Sequence, residues 1–167
     1  KKFRDTLTGR KRLVHLTPVL WDELPAFGIT LLQRLFHGGL PPALLATSKS
    51  AAFYREWMDS FFARDIQRLF GFRDMNRFNA LFEYLLRQSG GQFKVTRTAG
   101  AIGITRPTVE SHLLALEITH AVTVVRPFHG GGQNEIVRQP KVYGFDTGFV
   151  SFARGWDPLR PEDFGAL

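Results

Sequence analysis

The consecutive stretches FKVTRTAGAIGI (93–104) and TRPTVESHLLAL (105–116) decide the fold of this chain. The first is typical of a short strand followed by a helix of small residues. The second begins with a capping hydroxyl at Thr105, and Pro107 follows in the first turn, which is how helices commonly start. Two helices joined by so short a connection indicate a helix-turn-helix.

The second helix has an apolar face and a polar face. Its apolar positions recur at i, i+4 and i+7, so we expect them to pack on the preceding helix. They are Val109, Leu113 and Leu116. The residues predicted to point outward are Thr108, Ser111, His112 and Ala115.

A β-hairpin is predicted directly after these helices. Residues 122–127 have the composition of a strand, HGGGQN (129–134) is a glycine-rich turn, and residues 135–138 begin a returning strand. A helix-turn-helix followed by such a hairpin is a winged helix, with the hairpin as the wing.

A winged helix can place its second helix in the major groove of DNA, with arginines on the flanking phosphates. The candidate contacts are Arg97, Arg106, Thr108, Ser111, His112, Arg126, Arg138 and Lys141. Glu110 lies among them with the wrong sign for a phosphate contact. The alternative is a winged helix that docks on its own protein or on a partner, and the sequence leaves both open.

The charge, cysteine content and apolar runs of the chain limit the classes of function that it can have. The 167 residues carry a formal net charge of +7, but six basic residues against Asp5 concentrate +5 of it in the first twelve positions, so global charge is weak evidence for DNA binding. Cysteine is absent, which excludes disulfides and thiolate chemistry. No apolar run has the length of a membrane span and no secretion signal precedes the fold, so a cytoplasmic location without membrane contact is the default expectation.

The rest of the chain is predicted to be mainly helical. Residues 51–70 form an amphipathic helix whose apolar stripe includes Leu69, and Asp65 on it is expected to pair with Arg64 or Arg68. Residues 76–88 form a second amphipathic helix, ended by Ser89-Gly90-Gly91. The predicted fold is thus mainly α with a small β-hairpin wing: a helical, lid-like bundle followed by a winged helix-turn-helix.

Four segments are expected along the chain. They are a first segment with lid-like helices (1–47), a helical subdomain (48–90), the winged helix (91–140) and a linker (141–167) with an exposed tail from Arg154. The five histidines have no metal-ligand spacing, and Asp146 has no neighbouring carboxylate for acid-base work. No catalytic or metal-binding set is predicted.

Five segments in order resemble a prokaryotic family of AAA-type (P-loop) ATPases that carry a winged helix and a C-terminal domain of restriction-nuclease-like fold. The segments are LTGRKRLVHLTP (7–18), GGLP (38–41), the helix ending in ARDI (63–66), GIT with PTV (103–109), and KVY with FDTG (141–148). Thr98, where the family usually has an apolar residue, and Gly100, inside the first helix of the motif, depart from the pattern.

The resemblance implies that this chain is a fragment running from the last strands of the ATPase core through the winged helix. ATP and Mg²⁺ would bind upstream in the parent protein, and the fragment itself would hold no cofactor. Arg10 maps to an arginine near the end of the core and is a candidate for nucleotide sensing; Asp65 matches a helix-borne aspartate of unknown purpose.

Two functions follow from these observations. The first is a non-catalytic portion of an AAA-type ATPase, whose winged helix binds DNA or docks on its own ATPase core, its C-terminal domain or a partner. The alternative is a stand-alone winged-helix transcription regulator. Whether the parent is an enzyme depends on the ATPase part, because this chain has no catalytic motif.

Overall fold

The computed structural model describes residues 16–127 and 139–167. In these ranges the chain forms nine α-helices, two β-strands, two 3-10 helices and one π-helical turn. The α-helices are α1 (Leu24–Phe27), α2 (Leu31–His37), α3 (Pro41–Leu44), α4 (Ala51–Phe61), α5 (Gln67–Phe70), α6 (Met75–Arg87), α7 (Val95–Ile102), α8 (Arg106–Ile118) and α9 (Thr147–Arg154). The strands are β1 (Val122–Val125) and β2 (Lys141–Gly144), and the 3-10 helices are Trp21–Glu23 and Pro161–Ala166.

Helix α6 is the centre of the hydrophobic core. Asp74 caps it by accepting a hydrogen bond from the Arg77 amide at 3.1 Å. The core-facing side chains of α6 are almost completely buried, and they are Phe78, Leu81, Phe82, Leu85 and Leu86. The larger core cluster runs from Ala43 to Val150 and includes residues of all four predicted segments. Val19, Leu24 and Leu44 form a second, smaller cluster.

Helices α4 and α5 are joined by a π-helical turn, Phe62–Ile66, so residues 51–70 are helical throughout, as predicted. Ser50 caps α4 through the Phe53 amide at 3.3 Å. The wider π-turn shifts the residues after it around the helix axis. Leu69, predicted to face inward, is therefore 44% exposed.

The winged-helix region has the predicted order of elements. An isolated antiparallel bridge joins Gln92 to Lys141, then α7 and α8 follow, and β1 pairs antiparallel with β2. The prediction of a mainly helical chain with a small hairpin is confirmed. The turn predicted at 129–134 and the strand predicted at 135–138 both lie wholly outside the described residues. The strand that pairs with β1 is β2.

The segment 141–167, predicted to be a linker, contains β2 and α9. Val142 is 2% exposed and Phe149 is fully buried, so this segment supplies part of the core. The predicted tail also folds back, since Asp163 is 5% exposed and Leu167 packs on the core cluster.

Helix α9 approaches α2 closely, and glycine permits it. A Cβ on Gly148 would overlap the carbonyl oxygen of His37, whereas Gly100 in α7 has open space around the same position. We expect Gly148→Ala to lower the free energy of unfolding by about 1–3 kcal/mol through overpacking. We expect Gly100→Ala to raise it by about 0.5–1 kcal/mol, because alanine is the better helix former.

Urea denaturation followed by circular dichroism measures both variants, and each serves as the control for the other. Two substitutions that change stability in the same direction would contradict this packing of α2 and α9.

Candidate functional site

The outer face of the helix-turn-helix is the candidate site predicted from the sequence. Gly103 makes the turn between α7 and α8, with a φ of 72° that favours glycine. Thr105 caps α8 by accepting a hydrogen bond from the Thr108 amide at 3.3 Å, and the two hydroxyls lie 2.8 Å apart. The sequence signals at both ends of the motif therefore mark its boundaries correctly.

The exposed face of α8 is mixed in chemistry. Its exposed residues are Arg106, Pro107, Glu110, Ser111, Leu114 and Ile118. The single arginine is balanced by Glu110, and the two large apolar side chains, Leu114 and Ile118, are 55% and 56% exposed. We call this set the α8 outer face.

His112 does not belong to this face, and the prediction that it points outward is wrong. Its side chain is 5% exposed and packs on Phe72 at 4.5 Å and on Phe78 at 5.1 Å between ring centroids. Ala115 is buried as well. Helix α8 is covered on a second side by α6 and the loop before it, which no pattern within α8 itself reveals.

The other predicted DNA contacts are dispersed over several elements. Arg97 on α7 and Lys141 at the start of β2 are exposed, and Thr108 is partly buried. Arg126 makes a two-pronged ion pair with Glu117, at 3.2 and 3.4 Å, so its charge is largely balanced. Arg138 and the nucleotide-sensing candidate Arg10 lie outside the described residues.

DNA recognition requires several cations on one surface, because each neutralised phosphate releases counterions. On α8 itself one exposed arginine lies beside one exposed glutamate, and His112 is buried in the core. Leu114 and Ile118 are one helical turn apart, which is the spacing by which amphipathic helices bind other proteins. Sequence reasoning missed these two residues, because no pattern within α8 shows which of its apolar side chains lie outside the core.

A second site is built from two of the glycine-containing segments, GGLP (38–41) and FDTG (145–148). The Asp146 carboxylate, 2% exposed, accepts hydrogen bonds from the amides of Gly39 at 2.6 Å and Gly148 at 2.8 Å. Arg34 lies 3.8 Å away and donates to the Thr147 hydroxyl at 2.8 Å. Burial raises the pKa of Asp146, and the amides and the Arg34 guanidinium oppose that rise.

The Asp146 carboxylate has no opening to solvent, so its role is to join elements. Arg34 also donates through Nε to the Val19 carbonyl at 2.6 Å, which ties the first described segment to the same place. A Cβ on Gly39 would overlap the Arg34 guanidinium, and one on Gly38 would overlap the carboxylate. Both glycines and the aspartate are visible in the sequence, but their proximity in the fold could not be predicted from it.

Lys49 and Ser151 form a pair that resembles a nucleophile and its base. The Lys49 ammonium donates to the Ser151 hydroxyl, and burial lowers the pKa of Lys49 to about 8. Ser151, however, is fully buried and donates to the carbonyls of Phe36 at 2.7 Å and Gly148 at 3.0 Å. No substrate reaches its oxygen, so the pair fastens α9 to α2.

Asp65 is exposed in the π-turn, and its predicted ion pair with Arg64 or Arg68 is not formed. Within residues 16–127 and 139–167, no three His, Asp or Glu side chains come together as metal ligands would. None of the helices in these ranges is both long enough and apolar enough to cross a bilayer.

The chain belongs to a protein family described as "Domain of unknown function (DUF8612)", whose model matches residues 29–160. That range contains the Asp146 site and the whole helix-turn-helix. No curated protein and no solved structure matches the chain.

The burial of His112 predicts a pH dependence of stability. Burial lowers the pKa of His112 below the value of 6.5 that applies to an unfolded chain. Below about pH 6.5 His112 therefore binds a proton in the unfolded state but not in the folded state. The free energy of unfolding falls as the pH drops toward the folded pKa of His112. We expect His112→Phe, which keeps an aromatic ring against Phe72, to lose less stability between about pH 7 and about pH 5.

Thermal unfolding at both pH values measures this difference between the two proteins. Carboxylates titrate in the same range, but they contribute equally to both. An identical loss of stability in the wild type and in His112→Phe would show that His112 titrates as an exposed histidine does.

Proposed function

We propose that this chain is a non-catalytic portion of an AAA-type ATPase, in which the winged helix docks on another protein surface. The surface is the parent's own ATPase core, its C-terminal domain or a partner protein. One observation carries the docking role: the α8 outer face presents Leu114 and Ile118 to solvent while its charges, Arg106 and Glu110, cancel.

The chemistry of that face favours protein over DNA. When another apolar surface covers an exposed leucine and isoleucine one turn apart, the contact is stabilised by about 25 cal/mol per Å² of apolar area buried. The same side chains gain nothing from a phosphate backbone. A glutamate on the recognition helix repels phosphates. At the rim of a protein interface the same glutamate stays in contact with water and costs little binding free energy.

The relation to an ATPase rests on the resemblance of five segments in order. Two of these segments, GGLP (38–41) and FDTG (145–148), are far apart in the sequence and pack on each other through Asp146. In the parent, ATP and Mg²⁺ would bind to motifs upstream of Lys1. A P-loop of the form GxxxxGK[ST] encoded upstream would support the assignment, and a start codon close to Lys1 would favour the regulator.

A stand-alone DNA-binding regulator is the second candidate. The net charge of +7 favours it. So does the exposed Arg106 in the first turn of α8, where recognition helices contact DNA.

Fluorescence anisotropy with labelled DNA duplexes distinguishes the two functions. We expect weak binding at about 50 mM salt that disappears at about 200 mM, because only non-specific phosphate contacts are present. We also expect Arg106→Ala and the matched variant Arg68→Ala on α5 to reduce this binding equally. A much larger loss in Arg106→Ala than in Arg68→Ala would show that α8 engages DNA. His112→Ala is unsuitable here, because it removes a core side chain.

Docking is tested in the full-length parent protein with Leu114→Asp, and with Leu69→Asp as a control of comparable exposure on α5. We expect Leu114→Asp to weaken the docking contact by about tenfold or more, as the loss of a central apolar side chain does. Protection of α8 from hydrogen exchange reports the contact. An α8 that is equally protected in both variants would remove the docking role.

A further inference from the structure

A large open groove is lined by none of the residues of the α8 outer face. Its volume is about 840 Å³, and it runs between the first described segment, helix α4 and the turn from α8 to β1. Apolar and aromatic side chains form most of it, including Phe27, Leu40, Trp57, Phe61 and Phe145.

The floor of the groove is rigid. The Trp57 ring stacks on Phe145 at 5.0 Å and on Phe61 at 5.3 Å between centroids. Phe61 is 8% exposed and part of the core cluster. The aromatic floor is therefore held in place before anything binds, which lowers the entropic cost of binding.

Among the described residues that line the groove, the charged side chains are of one sign. The described residues that line it include two charged side chains, Glu23 and Asp65, and both are exposed carboxylates. His120 is the third titratable group there. In a chain of net charge +7, an apolar groove bordered by carboxylates favours an occupant that is apolar and basic.

The size of the groove matches a helix. A helix about 10 Å across rises 5.4 Å per turn, so about 840 Å³ corresponds to about two turns. A helix also satisfies its own backbone hydrogen bonds, which the apolar floor cannot do. We infer that this groove binds an amphipathic helix of a protein partner, with its apolar side chains on Trp57 and its Lys or Arg side chains beside Asp65 and Glu23.

This site is independent of the proposed docking through α8. It would bind its partner whether the α8 outer face contacts protein or DNA. Asp65 also receives a role here as an exposed anion at the edge of the groove.

Two fluorescein-labelled peptides of about 14 residues, or about four turns, serve as probes. Both carry leucines on one face; one has lysines and the other has glutamates on the opposite face. We expect the wild-type chain to bind the lysine peptide at least about tenfold more tightly than the glutamate peptide.

Charge substitutions locate the binding. Asp65→Lys should lower the affinity for the lysine peptide by about tenfold. Thr123→Glu adds a carboxylate to the groove wall and should raise that affinity by a few-fold. Asp59→Lys is the matched control, because Asp59 is exposed on α4 and does not line the groove. All three positions are exposed, and circular dichroism confirms that each variant folds.

Three results would overturn the inference. They are equal affinity for the two peptides, equal effects of Asp65→Lys and Asp59→Lys, and no binding of the lysine peptide at millimolar concentration. Leu114→Asp should leave peptide binding unchanged. The peptide titration therefore tests the groove alone, and a negative result there leaves the proposed docking through α8 unaffected.

Discussion

The buried carboxylate of Asp146 holds the two ends of the fold together. It accepts amide hydrogen bonds from Gly39 and Gly148 and lies beside the Arg34 guanidinium, which in turn binds the Val19 carbonyl. A buried carboxylate is costly unless donors surround it, and here backbone amides supply most of them. Because Gly39 and Asp146 are 107 residues apart in the chain, this site closes the fold and sets α9 against α2.

The helix-turn-helix depends on that closure. Helix α9 and strand β2 continue directly from the wing region, and their buried residues Val142, Phe149 and Val150 pack in the same core as α6. Helix α8 is therefore fixed from two sides, by α7 and by the loop that carries Phe72. The exposed part of α8 is narrow, and it is the part whose chemistry favours protein contact.

The two candidate interfaces differ in physical character. The α8 outer face is a convex strip with two exposed apolar side chains, whereas the groove beside Trp57 is concave, aromatic and bordered by carboxylates. A convex strip inserts into a partner, and a concave groove receives one. A protein with both kinds of surface is suited to contact two other proteins at once.

Local patterns were sufficient for much of this chain. The cap at Thr105 and the apolar periodicity of α6 depend on neighbours within a few residues, so these elements and the winged-helix order could be predicted. Arg106 and Ser111 were correctly predicted to be exposed for the same reason.

Only the tertiary structure decided what those elements meet. A histidine at an outward position became buried because Phe72, from another segment, covers it. The supposed linker became core because Asp146 finds its donors at Gly39 and Arg34. The sequence by itself determined where helices and strands form, since those preferences are local. Which faces are buried, and which remain for a partner, depends on contacts between residues far apart in the chain, and no local pattern encodes them.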